Sequence, residues 1–139
     1  MELVLEKYTF LGEVKEVVDG DTFDIECDLG FGIKVVKRFR LLEIDTPEIR
    51  HKEGVTEKEV DAGKRIAKWV EKLIKGQIVI VESYKDKDTD KYGRYLANII
   101  FADGDKLVNL ATIMNQLGFD KKVILNEEEK YEKLCKLKN

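Results

Sequence analysis

Two aspartates and two arginines, each beside a turn or on a strand, carry the most chemistry in this sequence. Asp21 lies in Asp19-Gly20-Asp21-Thr22, and Asp45 lies in Arg40-Leu41-Leu42-Glu43-Ile44-Asp45-Thr46-Pro47-Glu48. Each aspartate has a threonine next to it at the end of an expected strand, so in a closed sheet both could converge on one rim. Hard carboxylate and carbonyl oxygens select calcium or magnesium over softer metals. Asp21, Asp45 and the backbone carbonyl of Thr46 fall short of a full calcium shell, which leaves room for water and a substrate phosphate. A plainer account makes both aspartates turn formers, because Asp side chains bond to nearby backbone amides.

Arg40 and Arg94 form the second pair. A strand-borne arginine between apolar neighbours needs an anion, and two guanidinium groups can clamp a phosphodiester. Such a clamp tightens as negative charge builds on a five-coordinate phosphorus. Glu48 is then the carboxylate near Asp45 left to activate a water. Pro47 fixes its own φ and pushes Thr46 into an extended conformation, so this acidic stretch is stiff. The competing account buries both arginines in ion pairs with Glu43 or Glu82.

The elements that must hold these groups can be read from periodicity. Alternation from Tyr8 to Val17 predicts a first strand, and Asp19 to Thr22 a turn in which Gly20 permits positive φ. Phe23, Ile25 and Cys27 share one face of a second strand, and Gly30-Phe31-Gly32 a hairpin. A long third strand is expected from Ile33 to Ile44, with Lys34, Lys37 and Arg38 outward. Thr56 and Glu59 have capping-box spacing at the head of a helix that buries Val60, Ile66, Ala67, Val70, Leu73 and Ile74 and stops at Gly76. Gln77 to Ser83 predicts a strand buried on both faces, and Arg94 to Phe101 a fifth strand. Asn109 caps a second helix ending at Gly118, and a third starts at Asn126, capped through Glu129 and burying Tyr131, Leu134 and Leu137.

Three strands, a helix, two strands and two helices make an α+β chain dominated by β structure. The expected fold is a five-stranded OB-fold barrel with three α-helices, forming a single domain over residues 1–139. A ferredoxin-like layer competes less well, since its first helix follows the first strand. Hydrophobic residues make up 43% of the chain, enough for one core. The net charge of −3 lacks the overall basic signature of a non-specific nucleic-acid binder, so a polyanion must be held by a local patch. Met1 to Phe10 contain no apolar run suited to a signal peptide or membrane span, so a soluble protein, cytoplasmic by default, is expected; no exposed apolar helix face stands out, which makes a monomer the default. Cys27 and Cys135 lack zinc-site spacing and are expected as reduced, buried thiols.

Three motifs together, Asp19-Gly20-Asp21-Thr22, Arg40 to Glu48, and Asp90-Lys91-Tyr92-Gly93-Arg94 with Leu96-Ala97, resemble the staphylococcal nuclease family. The similarity runs from about Val14 to Phe119. It implies an OB-fold barrel and a calcium-dependent phosphodiesterase that cleaves single-stranded DNA and RNA, leaving 3′-phosphate ends. By the same resemblance Asp21 and Asp45 would be calcium ligands, with Thr46 giving its backbone oxygen. Arg40 and Arg94 would hold the scissile phosphate, Glu48 would serve as general base or water organiser, and Asp19 would support the metal indirectly. Lys91 and Tyr92 would contact the terminal phosphate of a bound nucleotide.

Two departures stand out. The family's base-pocket tyrosines have no aromatic counterpart in Lys122-Val123-Ile124-Leu125-Asn126, and base stacking is commonly worth ~1–3 kcal/mol. The acidic net charge also departs from a basic family norm. Both features favour a rival, a non-catalytic OB module that binds nucleic acid or peptide; the complete carboxylate and arginine sets oppose it. His51, in a polar loop, is expected to be solvated, and Trp69 to cover the barrel edge.

Overall fold

The computed structural model describes residues 1–3, 5, 7–84 and 94–126. Its strands are β1 (Lys7–Asp19), β2 (Thr22–Asp28), β3 (Lys34–Leu41), β4 (Ile78–Tyr84), β5 (Tyr95–Asp103) and β6 (Lys106–Asn109). Helix α1 (Glu57–Ile74) follows β3, and α2 (Leu110–Gln116) follows β6. β1 pairs antiparallel with both β2 and β4, while β2 pairs with β3 and β4 with β5. A short parallel pairing of β3 with β5 closes the ring, with Phe39, Arg40 and Leu41 opposite Tyr95, Leu96 and Ala97. The result is a five-stranded barrel of OB type. β6 is a sixth strand that the sequence reading did not anticipate, and it adds to the free edge of β5.

β1 can serve two neighbours because it is long and bends, with register shifts at Val14/Glu16 and Val17/Asp19. Phe23, Ile25 and Cys27 of β2 are buried as their alternation predicts. β4 differs from expectation. Val79, Val81 and Ser83 face inward while Ile78 is 60% exposed, since only one face of a barrel wall meets the core.

Helix α1 begins at the Thr56 N-cap, whose side chain accepts from the Glu59 N–H. Its apolar stripe buries Val60, Ile66, Val70 and Ile74, each worth about 1.5–3 kcal/mol of transfer free energy, while Ala67 and Leu73 are half-buried. Gly76 (φ 79°) and Gly118 (φ 76°) take the left-handed conformation expected after the two helices. Trp69 meets Phe119 edge-on at 5.1 Å and packs against the core, as a barrel cover should.

Two boundaries move. β3 ends at Leu41 rather than Ile44, because Leu42 donates to the Ala97 carbonyl and Glu43 turns into the left-handed region at φ 68°. A further helical stretch already occupies residues 121–126, ahead of the start expected at Asn126. Asp120 caps it, its side chain accepting from the Lys122 N–H at 2.9 Å. The expected contacts of Glu129, Tyr131, Leu134, Cys135 and Leu137 lie outside the described residues. Among the described residues no helix is long and apolar enough to cross a membrane.

Candidate active site

The β1–β2 turn and the segment leaving β3 meet where β3 closes onto β5. Asp21 is held on three sides: its N–H donates to Asp19 Oδ1 at 3.1 Å, Oδ1 accepts from the Thr22 hydroxyl at 3.0 Å, and Oδ2 accepts from the Thr46 N–H at 3.0 Å. The last contact brings the two acidic stretches together. Gly20 has no positive φ, contrary to the sequence reading. Its reason is close packing, since a Cβ there would lie 3.0 Å from Thr46 Oγ1 and 2.9 Å from Ile66 Cγ2.

Arg40 joins the two aspartates. Its Nη2 lies 3.1 Å from Asp45 Oδ1 and 3.4 Å from Asp21 Oδ2, and Nη1 donates to the Leu41 carbonyl at 2.6 Å. Asp21 is 7% exposed and Asp45 66%, so the pair offers one buried and one open carboxylate to a common cation. Pairing of Arg40 with Glu43 or Glu82 is not what forms; Glu82 takes Lys7 at 2.6 Å instead. Arg94 reaches in from the head of β5 and donates to the Thr22 hydroxyl at 3.1 Å. Thr22 is the register partner of Arg40, so the two arginines flank one residue.

Glu48 turns back on its own loop. Oε1 accepts from the N–H groups of Ile49 (3.2 Å) and Arg50 (3.1 Å), and Oε2 from Lys52 Nζ (3.2 Å). These groups line a cleft of about 350 Å³ together with Asp19, Thr46 and Pro47. Five cationic side chains, Arg38, Arg40, Arg50, Lys52 and Arg94, face four acidic ones there. Charges of the two signs are therefore nearly balanced around the cleft of this acidic chain.

Burial pushes Asp19 up to about 7, helped by the hydrogen bond and charge of Asp21 beside it. Burial also acts to raise Asp21, but the hydrogen bond shared with Asp19, the Arg40 guanidinium and the Thr46 and Thr22 donors outweigh it and hold Asp21 below the usual carboxylate range. The two carboxyls therefore share one proton at acidic pH. Glu48 is likewise lowered, partial burial being outweighed by Lys52 and the two amides. The carboxylates of Asp21 and Asp45 suit a hard cation, being oxygen donors already drawn to one positive group. Among the described residues no three His, Cys, Asp or Glu side chains form a metal cage by themselves, so solvent and substrate oxygens must complete any shell.

Several groups that shape the site were missed. Glu59 satisfies only half of the expected capping box: its N–H reaches Thr56 Oγ1 at 3.1 Å, while its carboxylate accepts from the Glu48 N–H at 3.3 Å. Lys121 pairs with that carboxylate at 3.2 Å. Gly63 sits so close to the loop that a Cβ would lie 2.6 Å from the Pro47 carbonyl oxygen and 2.9 Å from that of Glu48. A glycine inside a helix costs about 1 kcal/mol relative to alanine, and that was a readable signal of close packing. Asn115 Nδ2 donates to the Glu43 carbonyl at 2.9 Å, supporting the left-handed turn. Lys91 and Tyr92 lie outside the described residues. His51 is 65% exposed, 3.9 Å from a still more exposed Glu57, and does not line the cleft. Cys27 is buried, and burial pushes its thiol up to about 11.

The family model for staphylococcal nuclease homologues matches residues 38–139. That span includes Arg40, Asp45, Thr46, Glu48 and Arg94; the Asp21 turn precedes it. An uncharacterized protein of Methanocaldococcus jannaschii is 32% identical over 137 residues, covering 88% of this chain and 64% of its own length. Protein ParB of Escherichia coli is 35% identical over 88 residues, covering 63% of this chain and 40% of its own. The chain therefore spans less than two thirds of either relative.

Proposed function

Because the chain belongs to the staphylococcal nuclease homologue family, we propose that it is a calcium-dependent phosphodiesterase that cuts single-stranded DNA and RNA to 3′-phosphate products, acting as a soluble monomer. The observation that carries this reading is Arg40 Nη2 standing between Asp21 and Asp45, with Arg94 on the other side of Thr22. Two carboxylates and two guanidinium groups thereby face one cleft. Asp21, Asp45 and the Thr46 carbonyl would hold the calcium, which when bound would supply positive charge to the phosphoryl oxygens.

The chain's own groups do the rest. Arg40, standing between the two aspartates, and Arg94, across Thr22 from it, hold the phosphodiester. Both gain strength as charge accumulates on the equatorial oxygens. Glu48 leaves its amides and Lys52, and accepts a proton from the water that attacks phosphorus. The new P–O bond forms as the bond to the 5′ oxygen breaks; that oxygen leaves with a proton from solvent, and the phosphate stays on the 3′ side. Asp19 orients Asp21 from behind. Lys91 and Tyr92 contact a terminal phosphate in this reading.

A second reading, a binding module that does not cut, gains support from Glu48 being engaged by three donors. Incubating the protein with fluorescent single-stranded DNA, in calcium and then in chelator, separates the two. Calcium-dependent cleavage with 3′-phosphate ends supports the nuclease. Binding without cleavage across metals and pH supports the module.

A further inference from the structure

Asp45 and Glu48 are joined by only Thr46 and Pro47, a stiff link that still swings as a unit unless both of its ends are tied down. Both ends are tied, by one cluster outside the cleft. The Asp45 N–H donates to Asp120 Oδ2 at 3.3 Å, and the Asp45 carbonyl accepts from the Lys121 N–H at 2.7 Å. The Lys121 ammonium continues to Glu59 Oε1 at 3.2 Å, and the same oxygen accepts from the Glu48 N–H at 3.3 Å. Glu59 is 3% exposed. A carboxylate so deeply buried is costly unless a cation and donors satisfy it, so its partners are constrained in place. Gly63, pressed against the Pro47 and Glu48 carbonyl oxygens, closes the remaining side.

We propose that Glu59 and Lys121 are positioning residues that fix the separation of Asp45 and Glu48, a role that rests on the nuclease reading above. Neither residue touches the phosphate; both act through the loop backbone. Lys121 is central, because its main chain holds the metal-side end while its side chain, through Glu59, holds the proton-accepting end. A pair that served only the stability of the fold would leave turnover unchanged in folded protein.

The test measures kcat and KM on single-stranded DNA at saturating calcium for wild type, Lys121→Met and Lys121→Arg, each also in a Glu48→Ser background. Lys121→Met is expected to lower kcat roughly ten- to hundred-fold, the scale set by misplacing a reacting group by about 1 Å, with KM little changed. Lys121→Arg, which keeps the charge, restores most of that loss. With Glu48 already replaced, Lys121→Met adds little, because residues acting through one another are non-additive. An undiminished kcat in folded Lys121→Met, or an equal loss in both backgrounds, overturns the assignment while leaving the nuclease intact. Should Lys121→Met not fold, amide exchange in the wild type decides: the Glu48 amide must be protected, and free exchange there overturns the clamp. Wild-type protein that cuts nothing overturns the nuclease reading itself, and the catalytic role of the clamp with it.

Discussion

Replacing Gly63 by alanine sets two effects of known size against each other. In a free helix the change stabilises by about 1 kcal/mol, through helix propensity and a less mobile unfolded chain. Here the new methyl would sit 2.6 Å from the Pro47 carbonyl oxygen, 2.9 Å from the Glu48 carbonyl oxygen and 3.0 Å from Ile49 Cγ2. Two of the three obstacles are backbone, so no side-chain rotation relieves them. Restoring an ordinary contact of 3.4 Å to the Pro47 oxygen requires about 0.8 Å of relative movement between α1 and the loop. Overpacking of that kind costs roughly 1–3 kcal/mol. The net expectation is a loss of up to about 2 kcal/mol, which lowers Tm by up to roughly 7 °C for a chain of this size. The displaced atoms belong to Pro47 and Glu48, so the damage falls on the site as well. Turnover should drop on the order of tenfold or more, since catalysis is steeply sensitive to misplacement. Thermal unfolding and single-stranded DNA cleavage measure the two quantities on the same sample. A Gly63→Ala protein that is more stable by about 1 kcal/mol and fully active would show that α1 does not press on the loop.

Three further expectations follow from the same geometry. Glu48→Gln and Arg94→Ala should each reduce turnover by roughly 10²–10³-fold with native circular dichroism, the sizes usual for losing a general base or a charge-stabilising donor; near-normal turnover in either removes that residue from the mechanism. Asp19, raised to about 7, binds its proton more tightly in the folded than in the unfolded chain, so its stabilising contribution is full below its unfolded pKa of 3.8 and is lost as pH rises through 7. In chelator, Asp19→Asn should therefore raise Tm clearly more at pH 8 than at pH 4, and an equal change at both pH values refutes the assignment. In a Cys135→Ser background, the buried Cys27 thiol should react with a disulfide reagent only as fast as the protein opens, so immediate reaction in native buffer contradicts its burial.

What the sequence determined alone is what lies within a few residues of itself. The alternation of Phe23, Ile25 and Cys27, the Thr56 and Asn109 caps and the left-handed glycines at 76 and 118 are local properties, and each appears where periodicity and turn chemistry put it. The residue types needed for the site were also legible, because Asp21, Arg40, Asp45, Glu48 and Arg94 bring carboxylates and guanidinium groups together in three short motifs. The tertiary structure decided which groups pair. Asp21 meets Thr46, Arg40 chooses Asp21 and Asp45 over Glu43, and Glu59 leaves its expected cap for Glu48 and Lys121. Those partners are set by the register at which β3 closes on β5 and by the depth at which α1 docks, and neither is encoded by local propensity. Gly20 shows the difference at a single residue. A turn glycine suggests a backbone angle, but here it is the nearness of Thr46 and Ile66, distant in the chain, that leaves no room for a side chain.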